Sequence, residues 1–491
     1  QCSHHCMTTP PSPNRTGDAR KRVGLIAGPV VFAAVLILPE PAGLSQEGWR
    51  TAAVALLMAI WWITEAIPIP VTALVPLVVL PLLGIGTVRE VAAPYANPII
   101  FLFLGGFVLA AALERSGLHR RFALAIVRVA GTSPPRLVAG FMIATAFLSM
   151  WVSNTATTMM MLPIALSILA LSDADSRSHH DANFAIALLL GIAYAANIGG
   201  VGTLIGTPPN ALLAGFLEET YGVALGFGEW MLLGVPLVLV SLPLCWFWLC
   251  RLFTVHSASI GGSGRLLAAE WQKLGPPSRR ETTVGVVLGA TAVAWITRPL
   301  LDQFIPGLSD AGIAIAGALL LFLVPVNWRR LEFAATWRDV EGLPWGILIL
   351  FGGGLTLAAA IHRSGLADWI GASMAAVGTW PLVGVVATVT LVIIFLTEIN
   401  SNTATAATFL PIVASLALGI GLDPMALALP TALAASCAFM LPVATPPNAI
   451  VYASNRIPIT GMLRAGLALN LAMVVLITVL VMAVGWVTGS W

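Results

Sequence analysis

The sequence has 491 residues, of which 58% are hydrophobic and only 9% charged, with a net charge of +2 at neutral pH. A soluble domain carries roughly 25% charged residues, so this balance excludes an ordinary water-soluble protein and predicts a polytopic membrane protein. So small a net charge gives no sign of a nucleic-acid partner, and the five cysteines form no disulfide framework.

The first 22 residues read as a disordered cytoplasmic tail. Cys2 and Cys6 flank His4-His5, but a Pro/Ser/Asn-rich tail gives a metal no folded support. Arg20-Lys21-Arg22 precede an apolar run with no small-residue cleavage site, which predicts a retained first span rather than a cleaved signal. A spanning helix needs roughly 20 apolar residues. Candidate spans are 23–43, 51–67, 70–86, 97–114, 182–222 (interrupted), 228–250, 282–300, 310–325, 344–361, 424–454 (interrupted) and 463–487, eleven in all. Two further apolar stretches, 134–171 and 381–420, each hold a polar cluster at the centre and read as re-entrant helical hairpins. Residues 118–131 and 366–378 are short and mildly amphipathic, as interfacial helices are. The polar segment 255–281 reads as a cytoplasmic linker, and His179-His180 as solvated loop. Cys245, Cys250 and Cys437 lie in apolar runs and read as small core residues.

Basic residues set the orientation. With the N-terminus in the cytoplasm, only Arg50, Arg89, Arg298 and Arg363 of the 24 Lys and Arg fall outside. The C-terminus is then external, and the expected location is the inner (plasma) membrane.

The two polar clusters are copies. Phe147-Leu148-Ser149-Met150-Trp151-Val152-Ser153-Asn154-Thr155-Ala156-Thr157 matches Phe395-Leu396-Thr397-Glu398-Ile399-Asn400-Ser401-Asn402-Thr403-Ala404-Thr405. Gly105-Gly106 matches Gly353-Gly354 and Arg115-Ser116-Gly117-Leu118 matches Arg363-Ser364-Gly365-Leu366, all at one spacing. Thr207-Pro208-Pro209-Asn210 returns as Thr445-Pro446-Pro447-Asn448. An odd number of spans between the clusters inverts one copy relative to the other. The pattern predicts an all-α membrane protein of two inverted repeats related by an axis in the membrane plane.

A polar cluster at membrane depth is costly unless protein, water or ligand satisfies it. Ser, Asn and Thr are neutral, hard oxygen ligands. A broken helix adds unpaired carbonyls, which suit a small cation, and N-terminal amides, which suit an anion. Neither cluster and neither Thr-Pro-Pro-Asn break contains Lys, Arg or His. An anion there is expected to depend on helix ends, hydroxyls and bound cations. Glu65 and Glu398 are intramembrane carboxylates, and each reads as hydrogen-bonded and structural ahead of ion-coupling.

With Trp61-Trp62, Glu65, Pro68 and Asn97-Pro98 added to these motifs, the sequence resembles the divalent anion–sodium symporter family of dicarboxylate and citrate carriers, over nearly all the chain after residue 20. The resemblance implies a homodimer in which a transport part slides as an elevator against a scaffold. The scaffold would be 23–132 and 282–379. The transport part would be 133–254 (hairpin 134–171, broken helix 182–222, next span) and 380–491 (hairpin 381–420, broken helix 424–454, last span). It implies substrate contacts at Ser153, Asn154, Thr155, Ser401, Asn402, Thr403, Thr207, Thr445 and Pro446. It implies one sodium at Ser149, Ser153, Asn154 and Gly202, and another at Thr397, Asn400, Asn402 and Ala444. Asn400 stands where a smaller residue is expected. Neutral oxygens at these positions favour sodium symport over sodium-independent exchange. The implied cargo is a C4-dicarboxylate such as succinate, malate or fumarate, with citrate, sulfate or exchange as alternatives; the coupling ion is sodium, with no organic cofactor. An intramembrane enzyme needs a nucleophile–base pair or a His-Glu-x-x-His site, which this sequence does not contain. A channel needs a continuous polar path rather than two isolated clusters.

Overall fold

The computed structural model of the chain describes residues 15–174, 180–255, 262–374 and 378–489. The Cys2/Cys6/His4/His5 cluster and His179 lie outside them. Within the described residues the chain is helical apart from one short antiparallel pair, β1 (Pro325–Asn327) and β2 (Glu332–Phe333).

The first half begins with α1 (Arg15–Ile37), α2 (Gln46–Thr64), α3 (Ile69–Thr72) and α4 (Val75–Leu82). The tail boundary expected at residue 22 moves, because α1 starts at Arg15 and takes Arg20, Lys21 and Arg22 into a helix. The span expected at 70–86 is divided: α3 stops at Ala73, and Pro76 and Pro81 enter α4. Next come α5 (Val88–Ala92), α6 (Pro98–Ser116) and α7 (Leu118–Ala130). The first hairpin is α8 (Pro134–Ser149) and α9 (Asn154–Ala174). The first broken helix is α10 (His180–Gly200) and α11 (Pro208–Tyr221), followed by α12 (Phe227–Leu252). The polar linker contains α13 (Ser263–Leu274).

The second half repeats this order from the helix matched to α6 onward. It runs through α14 (Arg279–Leu301), α15 (Asp310–Leu323), α16 (Trp337–Glu341), α17 (Trp345–Arg363) and α18 (Leu366–Ser373). The second hairpin is α19 (Leu382–Thr397) and α20 (Asn402–Gly419). The second broken helix is α21 (Met425–Ala435) and α22 (Pro446–Tyr452), and α23 (Ile459–Thr488) closes the chain. Among the described residues, eight helices are long and apolar enough to cross a membrane; the hairpin arm α19 and the broken α21 are apolar but shorter.

Matched residues do matched work. Gly117 joins α6 to α7 at φ 80°, and Gly365 joins α17 to α18 at φ 74°. Both need the left-handed conformation that glycine adopts without a Cβ clash. Phe103 and Phe351, one repeat spacing apart, meet edge to face with centroids 4.9 Å apart. A residue that touches its own counterpart sits beside the axis relating the two copies. The halves also exchange partners. A Cβ on Gly105 of α6 would lie 2.6 Å from Ala314 of α15, and one on Gly353 of α17 would collide with the Ala73 carbonyl oxygen. Such close backbone approach through small residues is how helices associate where lipid removes the hydrophobic drive.

The amphipathic α7 buries Leu118, Ala123, Leu124 and Val127. On its other side Arg120 pairs with Glu270 at 2.6 Å, Arg121 pairs with Glu281 at 3.0 Å, and Arg121 and Arg128 lie over the Trp271 ring. The linker helix α13 is therefore fastened to α7.

A cavity between two broken helices and two hairpin tips

In each hairpin the first arm ends on a hydroxyl residue and the second begins on an asparagine. Ser149 closes α8 and Asn154 opens α9. The Ser149 hydroxyl lies 2.6 Å from Asn154 Oδ1 and 2.7 Å from the Ala196 carbonyl of α10. In the second hairpin Thr397 Oγ1 lies 2.7 Å from Asn402 Oδ1 and 2.9 Å from the Ala435 carbonyl of α21. Each triplet contains three oxygens and one hydroxyl proton. One proton donates to one acceptor at a time, so each triplet has a surplus of lone pairs. Neutral hard oxygens in surplus suit an alkali cation.

The helix breaks are held open by the asparagines of the Thr-Pro-Pro-Asn motifs. Asn210 Nδ2 donates to the Thr203 and Gly200 carbonyls at 2.8 and 3.1 Å, and Asn448 Nδ2 donates to the Leu441 and Ala438 carbonyls at 3.0 and 3.1 Å. Both Asn Oδ1 atoms are buried without a hydrogen-bond partner. Gly200 is required here, since a Cβ would come within 2.7 Å of Asn154 Oδ1.

The tips and breaks enclose a cavity of about 820 Å³. Ser153, Asn154, Thr155 and Thr207 line it from the first repeat, and Asn400, Ser401, Asn402, Thr403, Ala444, Thr445 and Pro446 from the second. The opposite wall is apolar, with Phe103, Phe107 and Ile347. Ser149, Thr397 and Gly202 lie behind the lining, fully buried or nearly so. Ser153 Oγ accepts from the Ala156 amide at 3.3 Å at the start of α9. The N-termini of α9, α11 and α20 all contribute lining residues, which gives the polar wall a positive dipole potential.

Residues 19–491 match the family described as the sodium:sulfate symporter transmembrane region. The chain belongs to that family. It is 44% identical to the sodium-dependent dicarboxylate transporter SdcS of Staphylococcus saprophyticus over 478 residues, covering 95% of this chain and 92% of that one. The SdcS transporter of Staphylococcus aureus is 42% identical over 473 residues, covering 94% and 91%. The crystal structure of the YdaH transporter of Alcanivorax borkumensis aligns over 98% of this chain and 99% of that one, with a TM-score of 0.54 at 17% identity, a likeness of fold.

The structure adds three features to what the sequence of this family member shows. Asn197, buried in α10, accepts from Asn154 Nδ2 at 3.3 Å and donates to Thr445 Oγ1 at 3.2 Å, so it ties one repeat's tip to the other's break. Its matched position in α21 is Ala435, so comparing the repeats hides it. Glu398 accepts from the backbone amides of Phe439, Met440 and Leu441 at 2.7, 2.8 and 3.0 Å and from Asn470 Nδ2 at 2.7 Å. A carboxylate with four donors is held as part of the break. Lastly, the expectation of a site without a nearby base changes, because Arg20 and Glu65 also line the cavity.

Proposed function

We propose that the protein is a sodium-coupled symporter of C4-dicarboxylates such as succinate, malate and fumarate. The carrying observation is the pair of three-oxygen triplets, each directly behind one wall of the same cavity. One sodium would be taken by Ser149, Ser153, Asn154 and Gly202, the other by Thr397, Asn400, Asn402 and Ala444. The substrate carboxylates would meet the hydroxyls and amides of Ser153-Asn154-Thr155 and Ser401-Asn402-Thr403, with Thr207, Thr445 and Pro446 beside them. Two cations beside the cavity offset the charge of a dianion, so bound sodium raises substrate affinity and the two travel together. The names of the SdcS relatives support this cargo.

The transport part is 133–254 with 380–491 and the scaffold is 15–132 with 282–379, joined by the linker 255–281. A homodimer of scaffolds anchors the moving part, which carries the site across the membrane as an elevator. The apolar side chains of Phe103, Phe107 and Ile347 on the cavity wall belong to the scaffold and have no hydrogen bonds of their own to break as the transport part slides. The N-terminus is cytoplasmic and the C-terminus external.

Uptake of radiolabelled succinate into proteoliposomes, with and without an inward sodium gradient, tests the reading. Sodium-dependent uptake that citrate and sulfate compete with poorly is the expected result. Uptake indifferent to sodium but requiring internal dicarboxylate overturns symport in favour of exchange. Absence of succinate flux together with sodium-driven citrate or sulfate flux overturns the substrate.

A further inference from the structure

Arg20 is carried to the cavity by the packing of α1 on α2. Arg20, Gly24 and Gly28 recur every four residues along one face of α1. A Cβ on Gly24 would collide with Thr64, and one on Gly28 would lie 2.5 Å from Trp61 Nε1. The α1 backbone thus lies directly against α2 side chains near the end of α2, as a face of small residues allows. The next position along that face is Arg20. Its guanidinium donates to the Thr64 carbonyl at 3.3 Å and to the Ile399 carbonyl at 3.0 Å, and lies 3.5 Å from Glu65 Oε1.

Two of those acceptors are carbonyls at helix C-terminal ends, where a cation is favoured. Thr64 ends α2, and Ile399 follows α19 at the tip of the second hairpin. Glu65 caps α2 with φ 50° and ψ 38°. A non-glycine residue seldom adopts that left-handed conformation. Here it turns the carboxylate toward Arg20. Ile399 directly precedes Asn400 and Ser401 of the cavity lining.

We propose that Arg20, backed by Glu65, is a positioning residue that latches the second hairpin tip to the α1–α2 pair in one of the carrier's alternating states. The proposal rests on the carrier reading above. To open the cavity at the other face, the hairpin and the α1–α2 pair move apart, and the bond from Arg20 to the Ile399 carbonyl breaks. The latch belongs to one state alone, so weakening it shifts the populations of both. Arg20 makes no contact with the two oxygen triplets, so its loss leaves their affinity for cations in place.

The test uses the full chain with its five cysteines replaced by alanine and a reporter, Val443→Cys, in the cavity lining. A membrane-impermeant maleimide is applied from each face of membrane vesicles, and initial rates of succinate uptake are measured in parallel. Arg20→Ala is expected to move the ratio of labelling rates from the two faces by about two- to fivefold, the range an exposed ion pair can move an equilibrium. Maximal uptake rate changes with it, and Arg20→Lys restores both in part. If Arg20→Ala does not reach the membrane, Glu65→Gln gives the same test with a smaller shift. Labelling ratio and maximal rate that match the parent in Arg20→Ala or, failing that, Glu65→Gln overturn the latch. A shifted ratio in a protein that moves no succinate keeps the latch and removes the substrate assignment. Normal sodium-driven flux with an unmoved ratio does the reverse.

Discussion

The two helix breaks occupy matched places and are built differently. In the first, the chain turns tightly after α10, with the Val201 and Gly202 amides donating back to the Ile198 and Gly199 carbonyls at 3.2 and 2.9 Å. Met150 lies against Gly202, whose Cβ would meet Met150 Cε at 2.9 Å, and Trp230 Nε1 donates to the Val201 carbonyl at 2.8 Å. In the second, α21 ends sooner and three successive amides turn to Glu398, the residue matched to Met150. Gly234 of α12 and Gly466 of α23 set the register, because each approaches the matched carbonyl, Val201 or Phe439. In that register Asn470 stands where the first repeat has Val238. An apolar pair, Met150 and Val238, therefore answers to a polar pair, Glu398 and Asn470. The first break satisfies its amides locally and can be covered by hydrocarbon. The second leaves them free and needs a buried anion.

The oxygen triplets are where the breaks are most alike, and changes there should have the largest effect. Asn154→Ala and Asn402→Ala each remove one oxygen from a triplet. Sodium-driven uptake is expected to fall by at least about 100-fold in each variant, the upper end of what loss of a ligand-shell partner does. Both variants should elute from size exclusion as the parent does. Normal transport by either folded variant would remove that triplet as a sodium site.

Exchanging the covers comes next. Met150→Glu puts a carboxylate where the neighbouring amides already have partners, at a cost on the order of 3–5 kcal/mol. A sharply lower melting temperature in detergent, or failure to fold, is expected. Glu398→Ala leaves three amides and an Asn470 donor without an acceptor, at about 1–3 kcal/mol for each buried group left unpaired. Relaxation of the loop will recover part of that. Met150→Ala, by contrast, opens only a cavity and should cost about 2–5 kcal/mol or less. If Glu398→Ala melts no lower than Met150→Ala, the carboxylate is not what holds the second break.

Much of the site was legible because polar residues at membrane depth have few explanations, and these occur twice at one spacing. Ser153, Asn154 and Thr207 could be found from that alone, and their counterparts Ser401, Asn402 and Thr445 line the same cavity. Glu398 was visible as a mismatch with Met150, but its three backbone donors lie 41 to 43 residues onward in a stretch with no polar side chains to flag it. Asn197 was hidden by the repeat itself, since a residue that bridges the two copies has no reason to occur in both. Arg20 read as one of a basic trio marking the cytoplasmic side. Its place at the cavity follows from Gly24 and Gly28 meeting α2, a tertiary contact that no spacing within α1 reveals.

The smallest expected effect bears on whether the two covers can be interchanged one residue at a time. Asn470→Val copies the first repeat into α23 and removes one donor from Glu398 while three amides remain. A hydrogen bond to a charged group contributes about 1.5–3 kcal/mol, and valine regains part of that by filling apolar space. Melting should therefore drop less than for Glu398→Ala, with transport retained. The reverse change, Val238→Asn, brings an amide into a buried position of α12 with no carboxylate opposite it. That costs about 1–3 kcal/mol with nothing to offset it. If Glu398 and Asn470 act as a unit, Asn470→Val should add little to Glu398→Ala in the double variant, because the donor's partner is already gone. Full additivity would mean that Asn470 stabilises α23 by another route and that the second cover is the carboxylate alone.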